Sequence, residues 1–158
     1  PLTTRSIFGL VGFVALCQAI GGIGAVATGT SVSTWYQTLS KPSFNPPDWV
    51  FGPVWTTLYL MMAIAAWRVW NRFGFRGAPA ALAVFGFQLA LNLLWSFLFF
   101  GFRRIDWALI EIVLLLLAIV VTIALFQRKD TLAAVLLVPY VVWVSFATVL
   151  CFALWRLN

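Results

Sequence analysis

The chain has no histidine, and its only carboxylates are Asp48, Asp106, Glu111 and Asp130, scattered over 158 residues. Without imidazole there is no Ser-His or Cys-His nucleophile, no histidine-dependent zinc site and no histidine axial ligand for haem. The four acids form neither an HExxH pair nor any adjacent couple, so no acid–base or metal machinery is available and no catalytic residue is assigned. Cys17 and Cys151 lie inside apolar runs and make no CxxC, which reads as two small packing residues. Charge itself is scarce: 9% of the residues are ionisable, against about 25% in a soluble domain.

What is present is apolar. Hydrophobic residues make up 63% of the chain and the mean hydropathy is +1.02. One core in water has no use for so much hydrophobic sequence, whereas a bilayer does; the class is an integral membrane protein. The formal charge of +6 does not point to nucleic acid. All ten cations sit between or at the ends of apolar runs, where a membrane protein brings them to water or lipid headgroups.

Five such runs cover residues 7–27, 49–69, 80–102, 107–126 and 132–155. Each has the roughly 20 residues a helix needs to cross a hydrocarbon core, and none shows the alternating polarity of a barrel strand. The expectation is an all-α bundle of five transmembrane helices forming a single domain over 1–158, with a structured first loop at 28–48. Short connections elsewhere make successive helices antiparallel neighbours. Arg5, Arg68, Arg72, Arg76, Arg128 and Lys129 fall on the side of the N-terminus, against Lys41, Arg103, Arg104 and Arg156 on the other. The positive-inside rule then places the N-terminus in the cytoplasm. The first run has a rival reading: Arg5, the apolar stretch 7–20 and the small residues Ala25-Val26-Ala27 have the layout of a cleavable signal. Against that, Gly21, Ala25 and Gly29 repeat every four residues, as do Ala15 and Ala19, a spacing that lets helices approach closely in lipid.

Residues 30–59 read TSVSTWYQTLSKPSFNPPDWVFGPVWTTLY. Thr34 with Gln37 has the form of a capping box for a short helix that Lys41-Pro42 would stop. Asn45-Pro46-Pro47-Asp48 reads as the start of a helix, with Asn45 as cap and Asp48 favouring the dipole. The aromatics here serve either as interfacial anchors or as a lid over a ligand. Of the nine tryptophans, Trp35, Trp49, Trp67, Trp70, Trp107 and Trp155 lie near segment ends, where aromatic belts form. Trp95 and Trp143 fall mid-span and Trp55 lies inside the second helix, so their N–H groups need polar partners in the bundle. On the third helix Gln88, Asn92 and Ser96 form one stripe beside Trp95; read from the residues alone, this stripe is helix–helix glue. Pro53 and Pro139 each remove a helical donor and are expected to kink their helices. Glu111, about a turn inside the fourth span, is expected to be held by the helix dipole and by Arg103 or Arg104.

The stretch WYQTLSKPSFNPPDWVFGPVWTTLY, followed by FQLALNLLWSFLFFG, DWALIEIVLLL and VPYVVWVSFATVLCFALWRLN, resembles the TspO/MBR family of translocator and tryptophan-rich sensory proteins along essentially the whole chain. The resemblance implies five helices, a homodimer, and an internal pocket for porphyrin or haem and other flat hydrophobic small molecules, bound as ligands and with no cofactor required. It implies that the pocket is lined by the positions matching Tyr36, Pro46, Trp55, Tyr59, Gln88, Asn92, Trp95, Trp143, Ala147 and Leu150. It further implies light-dependent breakdown of porphyrin involving Trp55 and Trp143. The animal members' sterol motif is incomplete, since Phe152 stands where tyrosine is required; the generic pattern is met instead by Val32, Tyr36 and Lys41 in the first loop, and cholesterol is not an expected ligand. The chain lacks the longer polar tail of animal members, so the expected setting is a bacterial envelope membrane. The competing expectation is a structural or regulatory membrane subunit without a small-molecule ligand.

Overall fold

The structure, a computed structural model, describes residues 3–29 and 31–158; Thr30, inside the first loop, lies outside the described residues. Five helices are long and apolar enough to cross a membrane: α1 (Thr4–Gly29), α2 (Asp48–Gly77), α3 (Pro79–Gly101), α4 (Ile105–Gln127) and α5 (Thr131–Leu157). No strand occurs among the described residues. In lipid, helices are the open-chain answer to the backbone's need for hydrogen bonds, and the sequence supplies five of them.

The ends differ from those that apolarity marks out. α2 continues past Val69 to Gly77, so the expected loop 70–79 shrinks to Ala78. Asn71 accepts a bond from the Ser6 hydroxyl, and the long basic side chains of Arg72 and Arg76 reach out of the apolar zone from a helical backbone. The helix is interrupted at Gly74, whose φ of 69° is open to glycine and costly to other residues. α3 then starts at once with Pro79 in its first turn, where the missing N–H is not needed. Pro53 likewise sits in the first turn of the regular part of α2, which begins at Phe51, and no kink follows it. Pro139 acts as expected: α5 is broken by a turn at Leu137, between Thr131–Leu136 and Val138–Leu157. The last turn of α3, Phe97–Gly101, widens into a π-helix, a local form that often accompanies functional sites.

Helices pack through small residues and aromatics. Gly9 lies against the Trp70 indole so closely that a methyl group there would come within 2.0 Å of its ring. Ala63, Ala65 and Ala66 on α2 are fully buried. Of the Gly21-Ala25-Gly29 repeat, only Gly21 serves a close approach, to the Tyr59 ring; Gly24, outside the repeat, meets Ser96, and Gly29 faces open space. Three of the expected interfacial tryptophans also pack helices. Trp67 donates to the Ser6 carbonyl at 2.8 Å, Trp70 meets Phe13 edge-on and Trp35 meets Phe99 edge-on. Trp49, Trp107 and Trp155 are exposed, in keeping with the anchor role.

An aromatic cavity between the helices

The first loop folds over one end of the bundle through side-chain bonds. The Tyr36 hydroxyl donates to Asn45 Oδ1 at 2.8 Å, and Gln37 Nε2 donates to Asp48 Oδ2 at 2.7 Å and to the Val32 carbonyl at 3.0 Å. Neither expected cap forms. The one-turn helix Trp35–Thr38 has no side-chain cap bond from Thr34. Asn45 is occupied by Tyr36, and Pro47 stands at the cap of the turn that opens α2. Lys41 Nζ lies 4.9 Å from the centre of the Tyr36 ring, and Asn158 ties the end of α5 to the Ser40 backbone with bonds of 3.0 and 2.9 Å. Burial pushes the Tyr36 phenol up to about 12, despite the opposing Asn45 bond, so the hydroxyl remains a donor throughout the neutral range.

Beneath this loop lies a cavity of about 440 Å³, within the roughly 300–1,000 Å³ of small-molecule sites. Tyr36, Trp55, Tyr59, Asn92, Trp95, Trp143, Ala147 and Leu150 all line it. Pro46 and Gln88 do not. Pro46 is half-buried in the loop away from the wall, and Gln88 is sealed behind Tyr140, 1% exposed. The wall also includes residues not anticipated as such: Gly21, Gly22, Ala25 and Gly29 of α1, Phe99 and Phe100 of the π-helical turn, Phe146, and Cys151. The small residues of α1 had a ready explanation in helix packing; that the repeat Gly21, Ala25 and Gly29 borders a void depends on which face of α1 turns inward, and period-four spacing does not say. Gly22, Ala25, Gly52 and Thr56 are both wall residues and exposed, so the cavity opens sideways between α1 and α2. Gln18 Nε2 bridges that opening with a 3.2 Å bond to the Thr56 carbonyl.

The wall is aromatic and its rings meet at angles. Trp55 stands edge-on to Trp143, centroids 6.5 Å apart, and lies 5.7 Å from Tyr59. Trp95 stacks on Phe99 at 5.1 Å, and Trp143 contacts Phe146 at 5.5 Å.

The polar stripe of α3 is largely satisfied within the protein. Tyr59 donates to Asn92 Oδ1 at 2.9 Å, Asn92 Nδ2 donates to the Tyr140 hydroxyl at 2.7 Å, and that hydroxyl donates to Gln88 Oε1 at 2.7 Å. This chain of bonds joins α2, α3 and α5. Gln88 is thus glue, while Asn92 and Tyr59 also face the cavity. By contrast, the buried Nε1 atoms of Trp95 and Trp143 have no hydrogen-bond partner. Cys151, the thiol on the same wall, is a weak acceptor at best.

Glu111 departs from expectation. Arg104 forks onto Asp106, with contacts of 3.1 and 2.9 Å, and Arg103 donates to Ser31 Oγ at 3.2 Å. Both are drawn to the loop side of α4, about two turns before Glu111, and both carboxyl oxygens of Glu111 are buried without a partner. No cluster of three or more potential metal ligands exists among the described residues.

Comparison with known proteins agrees with this architecture. The sequence model of the TspO/MBR family matches residues 13–156. The Tryptophan-rich protein TspO of Chlorobaculum tepidum is 42% identical over 158 residues, covering 98% of each chain. The Tryptophan-rich sensory protein of Cereibacter sphaeroides is 42% identical over 146 residues, covering 92% of this chain and 89% of that one. The human Translocator protein is 42% identical over 126 residues, or 78% of this chain and 75% of its own. With five membrane-spanning helices under an aromatic loop and a family match along nearly its whole length, the chain belongs to the TspO/MBR family of integral membrane sensor and translocator proteins.

Proposed function

We propose that the cavity binds a tetrapyrrole, a porphyrin or haem, and that the protein senses or carries it. The observation that carries this reading is the pair of buried indole N–H groups, Trp95 and Trp143, left without acceptors on an otherwise aromatic wall. An unsatisfied buried donor costs about 1–3 kcal/mol. A flat macrocycle would recover it, because it offers apolar faces to the rings and nitrogen or carboxylate acceptors to the indoles. With no histidine in the chain, binding rests on shape, stacking and these donors. The sideways opening between α1 and α2 suits a ligand that partitions into lipid.

Light-dependent breakdown is the finer part of the proposal. A bound porphyrin is a photosensitiser, and Trp55 and Trp143, edge-to-face on the wall, are the indoles placed to act as electron donors or traps. The setting we propose is a bacterial envelope membrane, with the N-terminus cytoplasmic and a homodimer formed through the exposed small-residue face around Gly86 of α3. A structural or regulatory subunit is the second reading, favoured by the fully bonded Gln88–Tyr140–Asn92–Tyr59 chain.

Adding protoporphyrin to the purified protein decides between them. The first reading requires saturable quenching of tryptophan fluorescence and a higher thermal midpoint, since a ligand selective for the folded state must stabilise it. Trp143→Phe should weaken that binding. No saturation and no shift, or unchanged affinity in Trp143→Phe, removes the pocket assignment.

A further inference from the structure

The two ends of the bundle carry unequal charge. Around the loop, Lys41, Arg103, Arg104 and Arg156 share their side with Asp48 and Asp106, and Arg104 is paired. At the opposite end six cations face one carboxylate, Asp130, which Arg68 already holds at 2.8 Å. Arg5, Arg72, Arg76, Arg128 and Lys129 have no carboxylate within ion-pair distance among the described residues.

Three of these five are drawn together by the fold. They come from separate segments: Arg5 from the start of α1, Arg72 from α2, and Lys129 from the turn between α4 and α5. All three contact the last residues of α2, between Trp70 and Gly77. Arg72 and Lys129 lie 5.4 and 5.1 Å from the centre of the Phe73 ring. Lys129 Nζ also donates to the Gly77 carbonyl at 2.9 Å. The Arg5 guanidinium rests on the Trp70 indole at 4.1 Å, with one nitrogen 3.9 Å from where a side chain on Gly74 would begin. Gly74, where α2 is interrupted, lies in the middle of this stretch. Beside the cations, Phe75 projects outward, 65% exposed, as an aromatic at the level of lipid headgroups does.

We infer that this basic bracket around Phe73–Gly77 binds the phosphodiester headgroup of an anionic phospholipid such as phosphatidylglycerol. Arginine forks suit phosphate oxygens, a lipid phosphate is presented at the depth where the aromatics sit, and like charges gathered without acids call for an anion. The site lies at the far end of the bundle from the loop-covered cavity and does not depend on what that cavity binds.

The test uses the full chain in neutral detergent micelles, titrated with phosphatidylglycerol or phosphatidylcholine, with binding read by native mass spectrometry and the thermal midpoint read in parallel. Phosphatidylglycerol should bind saturably and raise the midpoint, phosphatidylcholine should do neither, and salt should weaken the effect. At about fivefold per basic residue near a membrane surface, Arg5→Gln/Arg72→Gln/Lys129→Gln should lose roughly a hundredfold in affinity, while Arg156→Gln at the opposite end should not. If the triple variant does not fold, the wild-type comparison of the two lipids across salt still decides. Equal binding of both lipids, salt-independent binding, or a triple variant that binds like the wild type overturns the inference. So does displacement of the lipid by equimolar glycerol phosphate, which would make the site one for free phosphate.

Discussion

Tyr140→Phe separates the parts of the α3 polar stripe that hold the bundle from those that face the cavity. Tyr140 is 1% exposed and does not line the cavity. Its hydroxyl accepts from Asn92 and donates to Gln88, each at 2.7 Å. Removing it deletes two bonds and leaves Gln88 Oε1 and Asn92 Nδ2 buried and unmatched. Interhelical bonds in membranes average about 0.6 kcal/mol and reach about 1.7, and stranding a buried partner costs about 1–3 kcal/mol in soluble proteins. Gln88 Nε2 has only the Met62 sulfur at 3.9 Å nearby, which offers its amide little to turn towards; Asn92 keeps its bond from Tyr59. The combined loss should be about 2 kcal/mol, within the range those two measures set. At about 2–4 °C per kcal/mol for a chain of this size, the thermal midpoint in detergent should fall by about 4–8 °C. Protoporphyrin affinity, read by fluorescence quenching on the folded variant, should fall less than about tenfold, since no wall residue is replaced and only the Asn92 amide behind the wall loses a partner. A midpoint within 1 °C of wild type would refute the role given to the bond chain, on the scale of this estimate. A tenfold loss of affinity at unchanged stability would show that Tyr140 acts in the cavity instead.

Two further outcomes follow from the acids. Glu111→Met should leave the thermal midpoint unchanged or raise it by a few degrees, because both oxygens it removes are buried without partners and an apolar replacement of similar length is neutral or stabilising at such a site; a clear fall would show the carboxyl to be engaged. At Asp130 burial alone would raise the carboxyl, but the Arg68 bond and charge, with the backbone N–H groups of Leu132 and Ala133, outweigh it and hold it below its ordinary value. A depressed folded value means that the stabilisation is complete above the ordinary carboxylate pKa of about 3.9 and is lost as pH falls through the lower folded one. Asp130→Asn should therefore be less stable than wild type at neutral pH, and the gap should close on acidification below about pH 4; a gap that stays constant in unfolding midpoints across that range would exclude the ion pair as its origin.

The sequence by itself determined the class and the number of spans, because apolar runs of bilayer length have one backbone solution in lipid. It also separated mid-span Trp95 and Trp143 from the rest, since depth follows from position along a helix. Position along a helix does not say which way a residue turns, and that is what tertiary structure decided. Trp67 and Trp70 lie near a segment end yet pack α1 against α2, because Ser6 and Gly9 face them. Gln88 and Asn92 share a stripe, but Tyr140 from α5 seals the first behind it and leaves the second at the cavity. Small residues on α1 border a void, and one of them, Gly21, cushions Tyr59 as well. How four carboxylates divide the ten cations was left to the fold. Asp130 claims Arg68 and Asp106 claims Arg104, Glu111 gets neither, and Arg5, Arg72 and Lys129 are left along the stretch where a single glycine interrupts α2.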